Sequence, residues 1–304
     1  MNALFRAAGI SKQAFHQKRN RELLLIEETE QLLALVSPIR QDHPRMSARQ
    51  MHRLIKPPRL GRDRFEALCF ANGFKVLVKR SYHKTTNSLG VTRFNNLIED
   101  FELTGINQVW VSDITYYRIG ETFYYLTFIL DLYSRVIVGF SVSSDLTTAA
   151  TTIPALKMAL RNRKTGPGLV LHSDGGGQYY CKEWLQLTAK SNIRNSMCET
   201  PYANAHAERI NGIIKNDYLV GYGPANFSQL ETMTLKAVNK YNREKPHGSL
   251  ENVSPCVFEL SLVDEVIHMS NKRKKVEKKK TRRNMDNSRR VTHIPTNDSN
   301  NNNN

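Results

Sequence analysis

The chain has 304 residues, enough for one sizeable core plus a smaller domain, and its formal net charge at pH 7 is +16. Its four cysteines are widely spaced and form no C-x-x-C pair, which argues against a disulfide framework or a zinc site. The longest apolar run, 124–132, is too short to cross a bilayer, and the first residues lack the apolar stretch of a signal peptide. We therefore expect a soluble, intracellular protein with reduced thiols.

The positive charge is concentrated at the two ends of the chain. Residues 1–93 carry 18 Lys and Arg against 7 acidic residues, and residues 272–290 carry 11 against 2. Residues 94–271 lean the other way, with 15 Lys and Arg against 18 acids. An acidic-leaning centre between basic flanks suits an enzyme whose core binds metal and whose flanks bind a polyanion. The alternative, that Lys and Arg only aid solubility, explains the total charge but not its segregation.

Residues 1–92 are predicted to form a helical, helix-turn-helix-like DNA-binding region. Ala7 to His16 has the turn glycine and Ser cap of a helix-turn-helix fragment, and a helix is expected from Glu22 to Val36, ended by Ser37 and Pro38. Ser47 is expected to cap the next helix.

A second helix of the pair is expected to begin at Asp63 and to end at Asn72-Gly73. In that arrangement Arg62 and Arg64 approach a DNA groove. A small three-helix bundle that binds no DNA has the same pattern, and the basic composition favours DNA binding.

A polar connector at 93–105 leads into the predicted catalytic core, 106–262. Strands expected at 107–117, 122–131 and 136–143 are joined by short turns, which predicts an antiparallel meander. Pro154 should kink a helix at 147–163 or mark its restart. Further elements are a strand at 168–172, a helix at 178–191, a strand at 193–197, the helix carrying Glu208, and a helix at 228–241. The order matches an α/β, ribonuclease-H-like core: a five-stranded mixed sheet with helices on both faces, whose first and fourth strands are neighbours.

Three carboxylates stand in positions typical of metal ligands. Asp113 lies inside an apolar, β-prone run, where an ionised side chain is costly unless it is paired or bound to metal. Asp174 ends a second apolar strand just before three glycines, and Glu208 follows it after 33 residues on a helix. Converging acids raise one another's pKa and are stable mainly around a cation. A chain with 28 acidic residues contains many sets of three that have no common role. The local contexts of these three nevertheless favour a site for metal-assisted phosphoryl transfer.

The helix that carries Glu208 has a polar stripe. Asn204, Glu208, Asn211 and Lys215 fall within an arc of roughly 60° of one another on a helical wheel, while Ala207, Ile210 and Ile214 point toward a core. Such a stripe is often only a solvated face. Here it aligns a carboxylate with a lysine two turns away, and that lysine could hold a DNA phosphate beside the metals.

Several stretches stand in a characteristic order along the chain: Asn107–Tyr116, Leu130–Arg135, His172–Gly176, Asn204–Glu208, Lys215 and Tyr241–Leu250. Together they resemble the catalytic (OrfB-type) component of bacterial insertion-sequence transposases, relatives of retroviral integrases with a DDE triad. The similarity covers about residues 1 to 260, with a spacing between the second and third acids slightly shorter than is common in the family.

The resemblance implies transposition: metal-dependent cleavage of DNA 3′ ends and strand transfer. It implies two Mg²⁺ or Mn²⁺ ions held by Asp113, Asp174 and Glu208, and Lys215 positioning the phosphate. Tyr202, Arg209 and His247 are weaker candidates for DNA contact, with surface or packing roles as alternatives. A ribonuclease-H-like nuclease and a non-catalytic DNA-binding regulator remain rival functions.

The resemblance also implies the partners. These are the element's terminal inverted repeats, target DNA, further copies of the chain on DNA, and an upstream OrfA-type product, in a bacterial cytoplasm at the nucleoid. The basic, Asn-rich tail at 263–304 is predicted to be disordered and to add nonspecific phosphate contacts.

Overall fold

A computed structural model describes residues 5, 9, 11–77, 94–198 and 204–263. Its centre is a five-stranded sheet in the order β3-β2-β1-β4-β5. The strands are β1 (Val109–Ile119), β2 (Thr122–Asp131), β3 (Ile137–Ser143), β4 (Val170–Ser173) and β5 (Arg194–Met197). β1 to β3 are antiparallel neighbours, whereas β4 pairs with β1 and with β5 in parallel. The predicted mixed sheet, with its first and fourth strands adjacent, is confirmed.

Helices cover both faces of this sheet. Odd-numbered residues of β1, such as Val109 and Val111, lie in one apolar cluster with Ile210 and Ile214, whereas Trp110 lies in a second cluster with Trp184. This alternation follows from the two-residue repeat of a strand. The helices are α4 (Thr152–Asn162), α5 (Lys182–Lys190), α6 (Ala205–Gly212) and α7 (Phe227–Glu244). Pro154 lies in the first turn of α4, so it marks the start of that helix and does not kink a longer one.

Helix α6 continues without a break through a π-helical segment, Ile213–Leu219, and a short turn of helix, Val220–Tyr222. The wider π turn shifts the faces of the residues within it, including Lys215, and of those that follow. α7 then packs on the same side of the sheet as α6, through Leu230, Ala237 and Tyr241.

The N-terminal helices are α1 (Lys12–Asp42), α2 (Ala48–Ile55) and α3 (Arg62–Ala71). Ser11 caps α1, and Ser47 caps α2 through a capping box, as predicted for Ser47. The predicted break at Ser37-Pro38 is wrong, because α1 runs through Pro38 to Asp42. The predicted start of α3 is also shifted, since Gly61 is the N-cap and Asp63 lies in the first turn.

The region around Pro38 is held by tertiary contacts that offset the lost backbone hydrogen bond. Val36 is fully buried in a small core with Met51 and Phe65. The Arg40 guanidinium donates to the carbonyl oxygens of Pro44, Met46 and Phe74 at 2.7–2.9 Å. The end of α1 is thereby joined to α2 and to the segment after α3.

The chain divides into two compact units, Met1–Cys256 and Val257–Asn304, and residues 255–263 are helical. Among the residues that the structure describes, no helix is long and apolar enough to cross a membrane. Four predicted features lie outside the described residues: most of the stretch 7–10, residues 78–93 at the end of the predicted helical region and the start of the connector, Tyr202, and the tail from residue 264 onward.

Candidate active site

Asp113 and Asp174 occupy equivalent positions on neighbouring parallel strands. Ser112 of β1 pairs with Ser173 of β4, and each aspartate is the next residue along its chain. Adjacent strands lie about 4.8 Å apart, and side chains at equivalent register point to the same face. The two carboxylates therefore lie side by side at the end of the β1–β4 pair, as the predicted topology requires.

Helix α6 brings Glu208 to these aspartates. The Asn211 amide donates to Asp113 Oδ2 at 2.8 Å, and the Asn204 amide donates to the carbonyl oxygen of Ser112 at 3.0 Å. Both asparagines are buried, whereas Glu208 is exposed on the side of α6 beside them. The two amides thus fix the helix against β1 and leave the Glu208 carboxylate free to bind a ligand.

The residues of the predicted polar stripe differ in exposure: Asn204 and Asn211 are buried, whereas Glu208 is exposed. Asn204 and Asn211 have exposed fractions of only 3% and 5%, so they are not on a surface that DNA reaches. The DNA contact predicted for them is corrected to hydrogen bonds with β1, because the stripe lies at the edge of the face that α6 buries. Their side-chain oxygens are buried without a hydrogen-bond partner in the described chain.

The site is electrostatically unfavourable without a cation. Burial raises the pKa of Asp113 to about 7, and the carboxylates of Asp174 and Glu208 add to the shift. Burial likewise raises the pKa of Asp174. Burial, followed by the same three acids, raises the pKa of the neighbouring Cys198 thiol to about 11, so this thiol is protonated and inert at neutral pH. In the described chain no Lys, Arg or His forms a salt bridge with any of the three acids.

The donor set fits a divalent cation of the magnesium type. Hard carboxylate oxygens are the ligands that Mg²⁺ and Mn²⁺ prefer, and a cation would offset the repulsion that raises the pKa of Asp113. As arranged here, no three His, Cys, Asp or Glu side chains of the described residues already stand close enough to chelate one ion. The aspartate pair is formed by the sheet, and Glu208 stands within electrostatic range of Asp113.

The raised pKa of Asp113 predicts that this acid destabilises the metal-free protein at high pH. The folded state binds the proton more tightly than the unfolded state, so this contribution to the free energy of unfolding falls as pH rises from about 4 to 7. We expect Asp113→Asn to be more stable than the wild type by about 2–4 kcal/mol at pH 8 and equal to it near pH 4. Urea unfolding in EDTA at several pH values measures this, with Asp100→Asn as the exposed control; equal curves at pH 8 would contradict it.

Lys215 lies next to the carboxylates, on the same face of β1. Its ammonium donates to Thr115 Oγ1 at 3.0 Å and stands 4.7 Å from the centre of the Tyr116 ring. Thr115 is two residues beyond Asp113, about 7 Å along the strand. Burial lowers the pKa of Lys215, while the Asp113 charge opposes this shift. A half-buried cation at this position can hold a phosphate that has one oxygen at the acids.

Two of the weaker candidates, Arg209 and His247, belong to a cationic cluster that the sequence did not predict. Arg135 donates to His206 Nδ1 at 2.9 Å, His206 and Arg209 lie one turn apart on α6, and His247 stands within electrostatic range of all three. Burial lowers the pKa of His247 to about 4, and the surrounding cations add to the shift. In the described part of the chain none of the four side chains is in an ion pair.

The cluster and the acids lie on opposite flanks of α6. On a helical wheel His206 and Arg209 stand on one side of the buried Ile210, and Glu208 with Asn211 on the other. Arg135 reaches the helix from the β2–β3 turn, which is fixed by Asp131: its carboxylate accepts from the backbone amides of Asn107, Tyr133 and Ser134. Arg62 and Arg64 are both exposed in the first turn of α3, and Arg62 pairs with Asp63 at 2.8 Å.

Comparison with known proteins identifies relatives of this chain. Two models, each described as an integrase core domain, match residues 104–202 and 189–255. An uncharacterized 31 kDa protein of insertion element IS600 from Shigella sonnei is 35% identical over 205 residues, which are 66% of this chain and 75% of that protein. Transposase InsF for insertion sequence IS3A from Escherichia coli is 35% identical over 177 residues, 56% of this chain and 60% of that protein. The HTLV-2 integrase catalytic core domain, solved in complex with magnesium, is 22% identical with a TM-score of 0.42, covering 50% of this chain and 95% of that one.

Proposed function

The chain belongs to the insertion-sequence transposases with an integrase core, and on that premise we propose that it cleaves the 3′ ends of its element and joins them to target DNA. The observation that carries the proposal is the pairing of Asp113 and Asp174 in register on β1 and β4, with Glu208 held beside them by α6. Burial raises the pKa of Asp113, and the carboxylates of Asp174 and Glu208 add to this shift, which favours a bound cation; metal ions held by carboxylates support phosphoryl transfer.

Asp113, Asp174 and Glu208 would hold two Mg²⁺ or Mn²⁺ ions, which when bound activate water or a 3′-hydroxyl and stabilise the leaving oxygen. The chain's other residues position the reactants. Asn211 fixes the Asp113 carboxylate at 2.8 Å. The Lys215 ammonium, whose pKa burial lowers, binds the phosphate beside the acids and orients it for in-line attack.

DNA reaches this site across the cationic cluster of Arg135, His206, Arg209 and His247. The cluster lies on the flank of α6 opposite Glu208, so a strand that crosses α6 touches both. Arginine and neutral histidine donors suit phosphate oxygens, and two arginines with no ion pair to the described residues favour a polyanion. The exposed Arg62 and Arg64 of α3, together with Tyr202 and the basic tail, are proposed as contacts to more distant DNA.

The cluster is expected to contribute to DNA affinity through charge alone. The double variant Arg135→Gln/Arg209→Gln should bind element-end DNA about tenfold more weakly near physiological salt, with the slope of log K against log salt reduced by about 1–2. Fluorescence anisotropy over a salt series measures this. The matched control, Lys157→Gln/Arg161→Gln, makes the same charge change on exposed positions of α4 and should leave both values unchanged; an unchanged slope for the first variant would contradict the assignment.

The experiment that tests the function supplies labelled element-end DNA to the full chain with Mg²⁺ or Ca²⁺. We expect 3′ cleavage and strand-transfer products with Mg²⁺ and binding alone with Ca²⁺. Cleavage of an RNA–DNA hybrid without joining would instead identify a ribonuclease-H-like nuclease. Binding without chemistry under both metals would identify a DNA-binding regulator.

The wider partners follow the same proposal. Transposition needs both ends of an element, so we propose that several copies assemble on terminal inverted repeats, in the bacterial cytoplasm at the nucleoid. An upstream OrfA-type product, separate or fused, is proposed to contribute to end recognition. Adding that product to the cleavage reaction and measuring the yield tests its role.

A further inference from the structure

The first two thirds of α1 stand in solvent although they carry a run of large apolar residues. Leu23, Leu24, Leu25 and Ile26 have exposed fractions of 54%, 54%, 59% and 55%, and Leu35 has 52%. Four successive apolar residues surround the whole circumference of a helix, because each is turned about 100° from the last. Helices that are apolar all round are ordinarily buried. The composition of this part of α1 is therefore typical of a helix that is buried against a partner.

The charges of α1 are divided at the same point. Every charged residue from 12 to 21 is basic, and every charged residue from 22 to 39 is acidic. The basic residues are Lys12, Lys18, Arg19 and Arg21; the acidic ones are Glu22, Glu27, Glu28 and Glu30. Two parallel copies of this helix would place like charges side by side. Two antiparallel copies place each basic half against an acidic half.

We propose that α1 pairs with α1 of a second copy of this chain, antiparallel and centred near Leu24. Arg21 and Glu27 are equally far from Leu24, as are Lys18 and Glu30, so each basic side chain lies at the same level along the pair as an acidic one of the other copy. The leucine run then fills the centre of the contact. The buried end of α1, at Val36, lies 12 residues from the centre, so the two copies of Val36 stand about 36 Å apart along the pair.

This association goes beyond the proposed enzymatic function because it needs neither DNA nor metal. The association is tested by the mass and geometry of the protein without DNA. A dimer that lacks transposase activity would therefore still confirm the association. An active monomer would refute it. The surface that α1 buries is also separate from the acids of β1 and β4, which lie in the catalytic core.

The test uses the full chain and measures its mass by sedimentation equilibrium. The wild type is expected at about twice 34.8 kDa. Lys18→Glu/Arg21→Glu and Glu27→Lys/Glu30→Lys should each be monomeric alone, because each places like charges at the same level of the two antiparallel helices. Mixed together they should restore the dimer. Leu24→Glu should also be monomeric, and Lys157→Glu/Arg161→Glu on α4 should stay dimeric as the charge-reversal control.

The orientation is read from a single spin label at residue 12, where antiparallel copies place the two labels about 36 Å apart and parallel copies about 10 Å apart. A wild type that is monomeric at every concentration reached would overturn the proposal. Another segment of the same chain would then have to cover Leu23 to Ile26. A dimer that survives both single charge reversals, or a short label distance, would equally overturn it.

Discussion

Replacing Glu208 with glutamine is expected to abolish 3′ cleavage and strand transfer while DNA binding persists. An amide keeps the size of the side chain but loses the charge and one good oxygen ligand for a hard cation. Metal-ion catalysis contributes several kcal/mol, so we expect the rate to fall by about 10³-fold or more. Because Glu208 is exposed on α6, the substitution should leave the fold unchanged. Single-turnover cleavage of labelled element-end DNA measures the effect.

The matched control is Glu121→Gln, an exposed acid in the β1–β2 turn that pairs with Arg118. It removes the same charge from the same domain and should cleave at the wild-type rate. Cleavage by Glu208→Gln within tenfold of the wild type would remove this acid from the site. The proposal would then have to rest on Asp113 and Asp174 alone.

The sheet could be predicted from the sequence because its strands carry a strong local pattern. Residues of β1 and β2 alternate between two apolar clusters, and turns such as the one at Gly120 limit how their neighbours can pair. The register of Asp113 beside Asp174 then follows from the order of the strands. The positions of Asp113 and Asp174 were thus predictable, and their role as metal ligands stays a prediction, since it rests on the cost of a carboxylate in an apolar strand.

Features that depend on contacts between distant segments could not be predicted from the sequence. The continuation of α1 through Pro38 depends on Arg40 and on the small core around Val36, which no helical propensity reports. The helical wheel placed Asn204 and Asn211 on a polar face of the helix. In the fold their side-chain amides donate to β1, and this strand buries them. A helical wheel considers only the helix itself and cannot predict this contact.

The π segment and the cationic cluster could not be predicted from the sequence either. Ile213–Leu219 differs from ordinary helix only in which carbonyl each amide meets, and its residues have no distinguishing pattern. Arg135 meets His206 only after folding, since the two are separated by 71 positions. Periodicity predicts faces, and it does not predict which loop crosses a face.

The second large effect that we expect is loss of stability on replacing Gly139 with alanine. Gly139 lies in β3 where α4 crosses it, and an added Cβ would overlap the carbonyl oxygen of Ala155 and lie 2.8 Å from the backbone nitrogen of Ala159. Backbone atoms cannot rotate away as a side chain can, so α4 must move off the sheet. Overpacking of this kind costs about 3 kcal/mol or more.

Urea denaturation of Gly139→Ala measures this cost as a lower midpoint with an unchanged slope. Gly166→Ala is the matched control, because a Cβ there meets no atom within 4 Å, and it should unfold like the wild type. The contact between α4 and β3 leaves the α6 face of the sheet untouched, so folded Gly139→Ala should retain cleavage at low temperature and lose it on heating. Wild-type stability of this variant would show that α4 is not held against β3 at the observed distance.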